Sequence, residues 1–160
     1  MIDELVYEVE NEIKEQFAKE EKIELVNSKK ILDAFRKHKI SEAHMQGTTG
    51  YGYGDLGRDT IEEIYADIFK AEDALVRTQF ISGTHTIATA LFGVLRPGDT
   101  VLSVNGKPYD TLDETLGIRD NPSSLKAFGV KYEQIDLVDN KFDLETIKNR
   151  VSQNDIKLII

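Results

Sequence analysis

The 160-residue sequence contains no cysteine. Disulfides, thiolate metal sites and a cysteine nucleophile are therefore excluded within these residues. A basic stripe is missing too: 29 acidic against 20 basic residues give a formal net charge of -9, the wrong sign for a surface that grips nucleic-acid phosphates or anionic lipid. A small anionic ligand stays open, since a few local donors can hold one. No apolar run is long enough to cross a bilayer, and Met1-Ile2-Asp3-Glu4 lacks the basic-then-apolar opening of a secretory signal. The expected setting is cytoplasmic. What is present is 40% hydrophobic, enough for the core of one domain.

The order of elements is legible from periodicity. Ile2, Leu5, Val6, Val9, Ile13 and Phe17 form one helical stripe over about 2–17, and Ile31, Leu32 and Phe35 mark a second helix over about 29–38. Residues 47–57 carry Gly47, Gly50, Gly52, Gly54 and Gly57, a loop too flexible for regular structure. Thr60 and Glu63 then read as a capping box, opening a helix with Ile61, Ile64, Tyr65, Ile68 and Phe69 on its inner face. Ala74-Leu75-Val76 and Phe80-Ile81 suggest extended chain, and Thr84 to Leu95 a mostly buried helix ended by Arg96-Pro97-Gly98-Asp99.

Beyond that point, Val101 to Val104 and Val130 to Leu137 read as strands, Asp110 to Leu116 as a short helix, and Lys157 to Ile160 as the start of a further strand. Phe142 and Ile147 bracket Asp143 as a hydrophobic staple around a helix N-cap, with the helix running to about Val151. Helices alternating with short apolar strands imply an α/β fold with a mostly parallel sheet covered by helices. The chain stops on the apolar run Leu158-Ile159-Ile160, whereas domain ends are usually polar and frayed. It reads as truncated.

The candidate chemistry sits in loops. Gly52-Tyr53-Gly54-Asp55-Leu56-Gly57 matches the dinucleotide pattern formally, but no strand precedes it to deliver the first glycine. A surface loop is the ordinary reading; Tyr51, Tyr53 and Arg58 nonetheless place aromatic rings and a planar anion donor within it. Ser82-Gly83-Thr84-His85 stands where extended chain meets the buried helix. A helix start offers unpaired N–H groups and a positive dipole end, Gly83 admits close approach, and the Ser82 and Thr84 hydroxyls add donors. Simple capping by Ser82 or Thr84 is the alternative. His85 is open to a core role, or to packing over an aromatic ligand. His38, His44 and His85 lack any metal-binding spacing. Gly106-Lys107-Pro108-Tyr109-Asp110-Thr111 follows the first strand directly, at the carboxyl edge where open α/β sheets bind ligands. Tyr109 could offer a flat face to a heteroaromatic ring, against the alternative of an ordinary turn at Pro108. Lys107 is expected to be solvated.

In order, the runs Gly50-Tyr51-Gly52-Tyr53-Gly54-Asp55-Leu56-Gly57-Arg58-Asp59-Thr60, Ala71-Glu72-Asp73-Ala74-Leu75-Val76-Arg77, Ser82-Gly83-Thr84-His85, Leu95-Arg96-Pro97-Gly98-Asp99 and Gly106-Lys107-Pro108-Tyr109-Asp110-Thr111 resemble the methionine gamma-lyase-like group known as aluminium resistance proteins. These are relatives of the cystathionine lyases, with the aspartate-aminotransferase-like fold (fold type I). The similarity is collinear from about Ser41 to the end of the chain. It implies pyridoxal 5'-phosphate (PLP) as cofactor. Ser82, Gly83 and Thr84 would cradle its phosphate, with His85 beside them, and Tyr109 would stack on its ring. Tyr53 and Arg58 would reach the phosphate of a neighbouring copy in a homodimer or homotetramer that shares its active sites. No metal, nucleic-acid or membrane role is implied.

The resemblance also divides the chain into an N-terminal helical segment over 1–46 and the first part of a PLP-binding large domain over 47–160. The family's Schiff-base lysine and its pyridinium-facing carboxylate are expected beyond residue 160, so these residues alone are expected to be inactive. The implied activity is that of a carbon–sulfur lyase acting on sulfur amino acids. An aldolase or aminotransferase built on the same cofactor, or a non-catalytic binding or assembly fragment, are the competing readings.

Overall fold

Lys, Glu and Gln are strong helix formers even where the apolar stripe fails, and the helices at the start of the chain are longer than the stripe alone suggests. In the computed structural model, which describes residues 2–160, the expected helices over 2–17 and 29–38 are instead α1 (Ile2–Glu12) and a single long α2 (Lys14–Lys37), parted only at Ile13. The polar stretch 18–28 continues α2 because its residues favour a helix individually. The chain forms two compact units, Met1–Thr78 and Gln79–Ile160.

In the first unit α2 docks on α4 (Leu56–Phe69) through polar groups as well as through the buried Ala34 and Ile64. His38 lies between two carboxylates, with Nδ1 3.0 Å from Glu63 and Nε2 2.5 Å from Asp67, and Lys37 reaches Asp67 at 2.7 Å. The expected capping box at Thr60 and Glu63 is corrected. Asp55 caps α4 one turn earlier, accepting the Arg58 N–H at 3.1 Å, and Glu63 is occupied by His38. The first side chain able to reach the free N–H groups takes the cap, and Asp55 leaves the glycine loop in the extended geometry this requires. Gly57 thus belongs to α4. A Cβ there would stand 2.8 Å from the His44 carbonyl of α3 (Glu42–Met45), so glycine allows the two helices to meet. Residues 74–76 and 80–81 form no strand. The Val76 N–H instead bonds the Glu62 carboxylate at 2.9 Å, and Arg77 pairs with the same carboxylate.

The second unit is α/β. Its sheet has the order β2-β1-β3, all parallel, from β1 (Thr100–Ser103), β2 (Lys131–Gln134) and β3 (Ile156–Ile159). Central β1 is buried at all four positions, as a strand covered on both faces must be. Around it Leu91 and Leu95 from α5 (Gly83–Val94) and its end join Val101, Leu112, Leu116, Leu125 and Val130. The strand expected over 130–137 is shorter. Ile135 still donates to Ser103 at 2.8 Å, after which Val138 and Lys141 close a turn. Ile160 continues the β3 pairing through its N–H to Leu102 at 2.9 Å. Asp143 caps α7 (Leu144–Val151) as its sequence context implies, accepting the Thr146 N–H at 3.0 Å. Arg150 of α7 then clamps the sheet, with Glu133 of β2 at 2.6 and 2.8 Å and Asp155 ahead of β3 at 2.5 and 3.0 Å. Among the described residues, no helix is long and apolar enough to cross a membrane.

Two outcomes follow from this packing. Leu95 is wholly buried, so Leu95→Ala is expected to lower unfolding stability by about 2–5 kcal/mol, measured by denaturant titration. The Arg150 guanidinium holds the Glu133 and Asp155 carboxyls below their ordinary values, chiefly through its hydrogen bonds. Depressed folded values mean that the clamp contributes fully above about pH 5 and is lost as pH falls through the lowered values. The melting temperature should therefore fall steeply below about pH 4, and Arg150→Met should lower it at neutral pH while flattening that acid slope.

Candidate functional site

The carboxyl end of β1 is the natural place for a ligand in an open parallel sheet. Ser103 closes the strand, fully buried, and its hydroxyl donates to the Gly106 carbonyl at 2.6 Å. Gly106 has φ +84 and gives its N–H to Ile135 at 2.9 Å. A side chain at Gly106 would press on the Asp136 carboxylate at 3.2 Å. The chain then rises through Pro108 to Tyr109, which caps a 3-10 turn (Asp110–Leu112) running into α6 (Asp113–Leu116). Tyr109 is 74% exposed. Its ring is available to a ligand rather than spent on the core.

The start of α5 lies against this turn. Thr84 and Thr111 bring their hydroxyl oxygens to 2.8 Å. Ser82 caps the helix, its hydroxyl accepting the His85 N–H at 3.1 Å and its carbonyl the Thr86 N–H at 3.0 Å. Capping and donation are compatible here, because a hydroxyl that accepts keeps its own proton to give. The N–H groups of Gly83 and Thr84 have no acceptor among the described residues, as the geometry of a helix start requires. A Cβ on Gly83 would meet nothing within 4 Å. The space over the two free N–H groups is therefore open. His85 turns its ring edge-on to Phe80, with centroids 5.9 Å apart at 71°.

Ser82, Gly83, Thr84, His85 and Tyr109 thus stand on two neighbouring segments of the second unit. Tyr53 and Arg58 belong to the first. Tyr53 is fully exposed in the glycine loop, where Gly50, Gly52 and Gly54 all take positive φ. The Arg58 guanidinium folds that loop by donating to the Gly52 carbonyl at 2.9 Å and the Gly50 carbonyl at 3.3 Å, while Nε bonds Asp59 at 2.9 Å. Lys107, expected to be solvated, is exposed, and its ammonium also stands 2.7 Å from the carboxylate of Asp113, a residue only 4% exposed. Asp113 itself gave no sequence signal, since an acidic residue opening a short helix is ordinary.

Two free N–H groups at the positive end of a helix, two hydroxyls and an unobstructed approach suit a phosphate dianion. The adjoining exposed aromatic ring suits a planar body attached to it. The donor set therefore fits PLP. The class of protein is settled by comparison: the sequence profile of the methionine gamma-lyase family matches residues 2–160, and the chain belongs to that family. Among its relatives is the carbon-sulfur lyase involved in aluminum resistance of Clostridium novyi NT, 46% identical with a TM-score of 0.91 over 98% of this chain. A Bacillus cereus protein is also 46% identical, with a TM-score of 0.89 over 99% of this chain. The uncharacterized protein YnbB of Bacillus subtilis is 51% identical over 143 residues, 88% of this chain. The chain spans only 38%, 39% and 34% of these relatives, respectively. The family resemblance read from the motifs is borne out.

Because the space over Gly83 is open and its φ is not strained, Gly83→Ala is expected to leave the unfolding midpoint unchanged or to raise it slightly, by up to about 1 kcal/mol of stability. Thermal and chemical unfolding would check this, and a marked loss of stability would show that Gly83 serves the fold instead.

Proposed function

We propose that this chain forms the phosphate-gripping and ring-facing part of a PLP-dependent carbon–sulfur lyase of fold type I, acting on sulfur amino acids. The observation that carries this reading is the Thr84–Thr111 hydroxyl contact at 2.8 Å, which joins the helix start to the turn that bears Tyr109. A dianion at one and a flat ring at the other are what a single phosphorylated pyridine would need.

In this reading the Gly83 and Thr84 N–H groups and the Ser82 and Thr84 hydroxyls fix the phosphate. They need no reorganisation to do so, because the helix already holds them in place. Tyr109 covers one face of the ring, setting its plane and excluding water from that side. His85 borders the cradle. Once bound, the cofactor supplies an electron sink for a substrate carbanion. Tyr53 and Arg58 complete the phosphate site of a second copy in a homodimer or homotetramer; Arg58 would exchange loop carbonyls for phosphate oxygens, which its planar fork of donors permits. The covalent lysine and the carboxylate against the pyridinium nitrogen belong, on the family pattern, to residues beyond 160.

The test uses 4'-deoxypyridoxine 5'-phosphate, which binds without a covalent bond. Equilibrium dialysis is expected to show saturable binding by the protein, weakened at least about tenfold by Gly83→Val, which fills the approach, and about three- to tenfold by Tyr109→Ala, which removes the stacking face. No saturable binding, or none of these losses, would overturn the reading. In a chain that also carries the family's Schiff-base lysine, release of ammonia with a thiol or sulfide from cysteine, methionine or cystathionine would identify the lyase reaction; cofactor binding there without such release would favour aldol cleavage or transamination.

A further inference from the structure

Tyr109 makes no ring contact with any aromatic side chain among the described residues and is largely exposed. Packing therefore does not fix its ring, and its position depends on the backbone that carries it. That backbone has an anchor on each side. Lys107, two residues before Tyr109, ion-pairs at 2.7 Å with Asp113, four residues after it. Asp113 is held firmly, because Leu112 and Leu116 on either side of it are buried in the core. The pair thus closes residues 107–113 into a short ring with Pro108 and Tyr109 at its free end.

The pairing is demanding as well as local. One oxygen of Asp113, Oδ1, is sealed from solvent with no hydrogen-bond partner among the described residues. The nearest other cation, Arg119, stays 3.9 Å from Oδ2. A carboxylate so buried needs its one close countercharge, since an unpaired buried charge is far costlier than an unpaired surface one. Resting on the PLP reading above, we infer that Lys107 and Asp113 are positioning residues that hold the Tyr109 ring in place for the cofactor without touching it. The Thr84–Thr111 contact ties the same turn to the phosphate cradle, so the two anchors act on different parts of one ligand: the threonines register the turn against the phosphate, and the ion pair sets the ring.

Two ligands separate these roles: inorganic phosphate, which engages the cradle alone, and 4'-deoxypyridoxine 5'-phosphate, which engages cradle and ring. Lys107→Met is expected to weaken the pyridoxine analogue about three- to tenfold while leaving phosphate affinity unchanged. Asp113→Asn removes the buried charge that needs neutralising and should give a similar split. The double variant should be no worse than Lys107→Met alone, as for two members of one pair. Lys141→Met controls for the loss of a positive charge, and thermal unfolding verifies that each variant is folded. An equal loss for both ligands in Lys107→Met would make Lys107 a direct anion ligand and overturn the inference. Unchanged affinity for both would overturn it while leaving the cofactor reading intact. Failure of the unaltered protein to bind the analogue would overturn the reading and the inference together.

Discussion

A hydrogen bond between two threonine hydroxyls is the constraint on which the site proposed for the second unit depends. Thr84 lies on the first turn of α5 and Thr111 in the turn after β1, segments 27 residues apart. Neither segment is a site by itself. A helix start with free N–H groups is common, and so is an exposed tyrosine in a loop. Joined at 2.8 Å, they become one surface with an N–H and hydroxyl end and a flat aromatic end. The bond is modest in energy, on the order of 1 kcal/mol net. Its importance is geometric, because it sets the register between two groups whose ligand would have to span both.

The rest of the second unit supports that register. Buried β1 delivers the turn from the centre of the sheet, and Ser103 and Gly106 bend the chain out of the strand without leaving polar groups unsatisfied. Arg150 draws β2 and the approach to β3 together from the opposite side of the sequence. The ion pair of Lys107 and Asp113 then bridges the turn that leads from β1 into the Asp110–Leu112 3-10 turn and α6. Rigid elements carry the turn, and the turn carries the exposed groups, which is the usual division of labour in α/β binding sites.

Much of this was legible in the sequence, and the exceptions have physical causes. The Asp143 cap, the α5 boundaries and the parallel strands follow from local signals: a staple, a glycine-led helix start, and short apolar runs between helices. The order of motifs from Gly50 to Thr111 carried the family. Local pattern failed where two candidates competed or where no period exists. Thr60 resembles a cap, yet Asp55 reaches the free N–H groups first. Residues 18–28 lack a clean apolar stripe but remain helical because lysine and glutamate favour helices individually. The Lys107–Asp113 pair was invisible because a loop contact across six residues has no repeating spacing, and Arg58 gave no hint that the carbonyls of its own glycine loop would occupy it.

The central claim is that the Gly83 and Thr84 N–H groups hold the phosphate dianion of a cofactor whose ring lies against Tyr109. Phosphorus NMR of pyridoxal phosphate bound to the protein, recorded across pH, tests it most directly. A free phosphate monoester titrates near pH 6, at about its second ionisation. Held by fixed donors at a helix start, the bound phosphate should stay dianionic, with a resonance that does not shift between about pH 5 and 8. A bound resonance that titrates as the free cofactor does would contradict it.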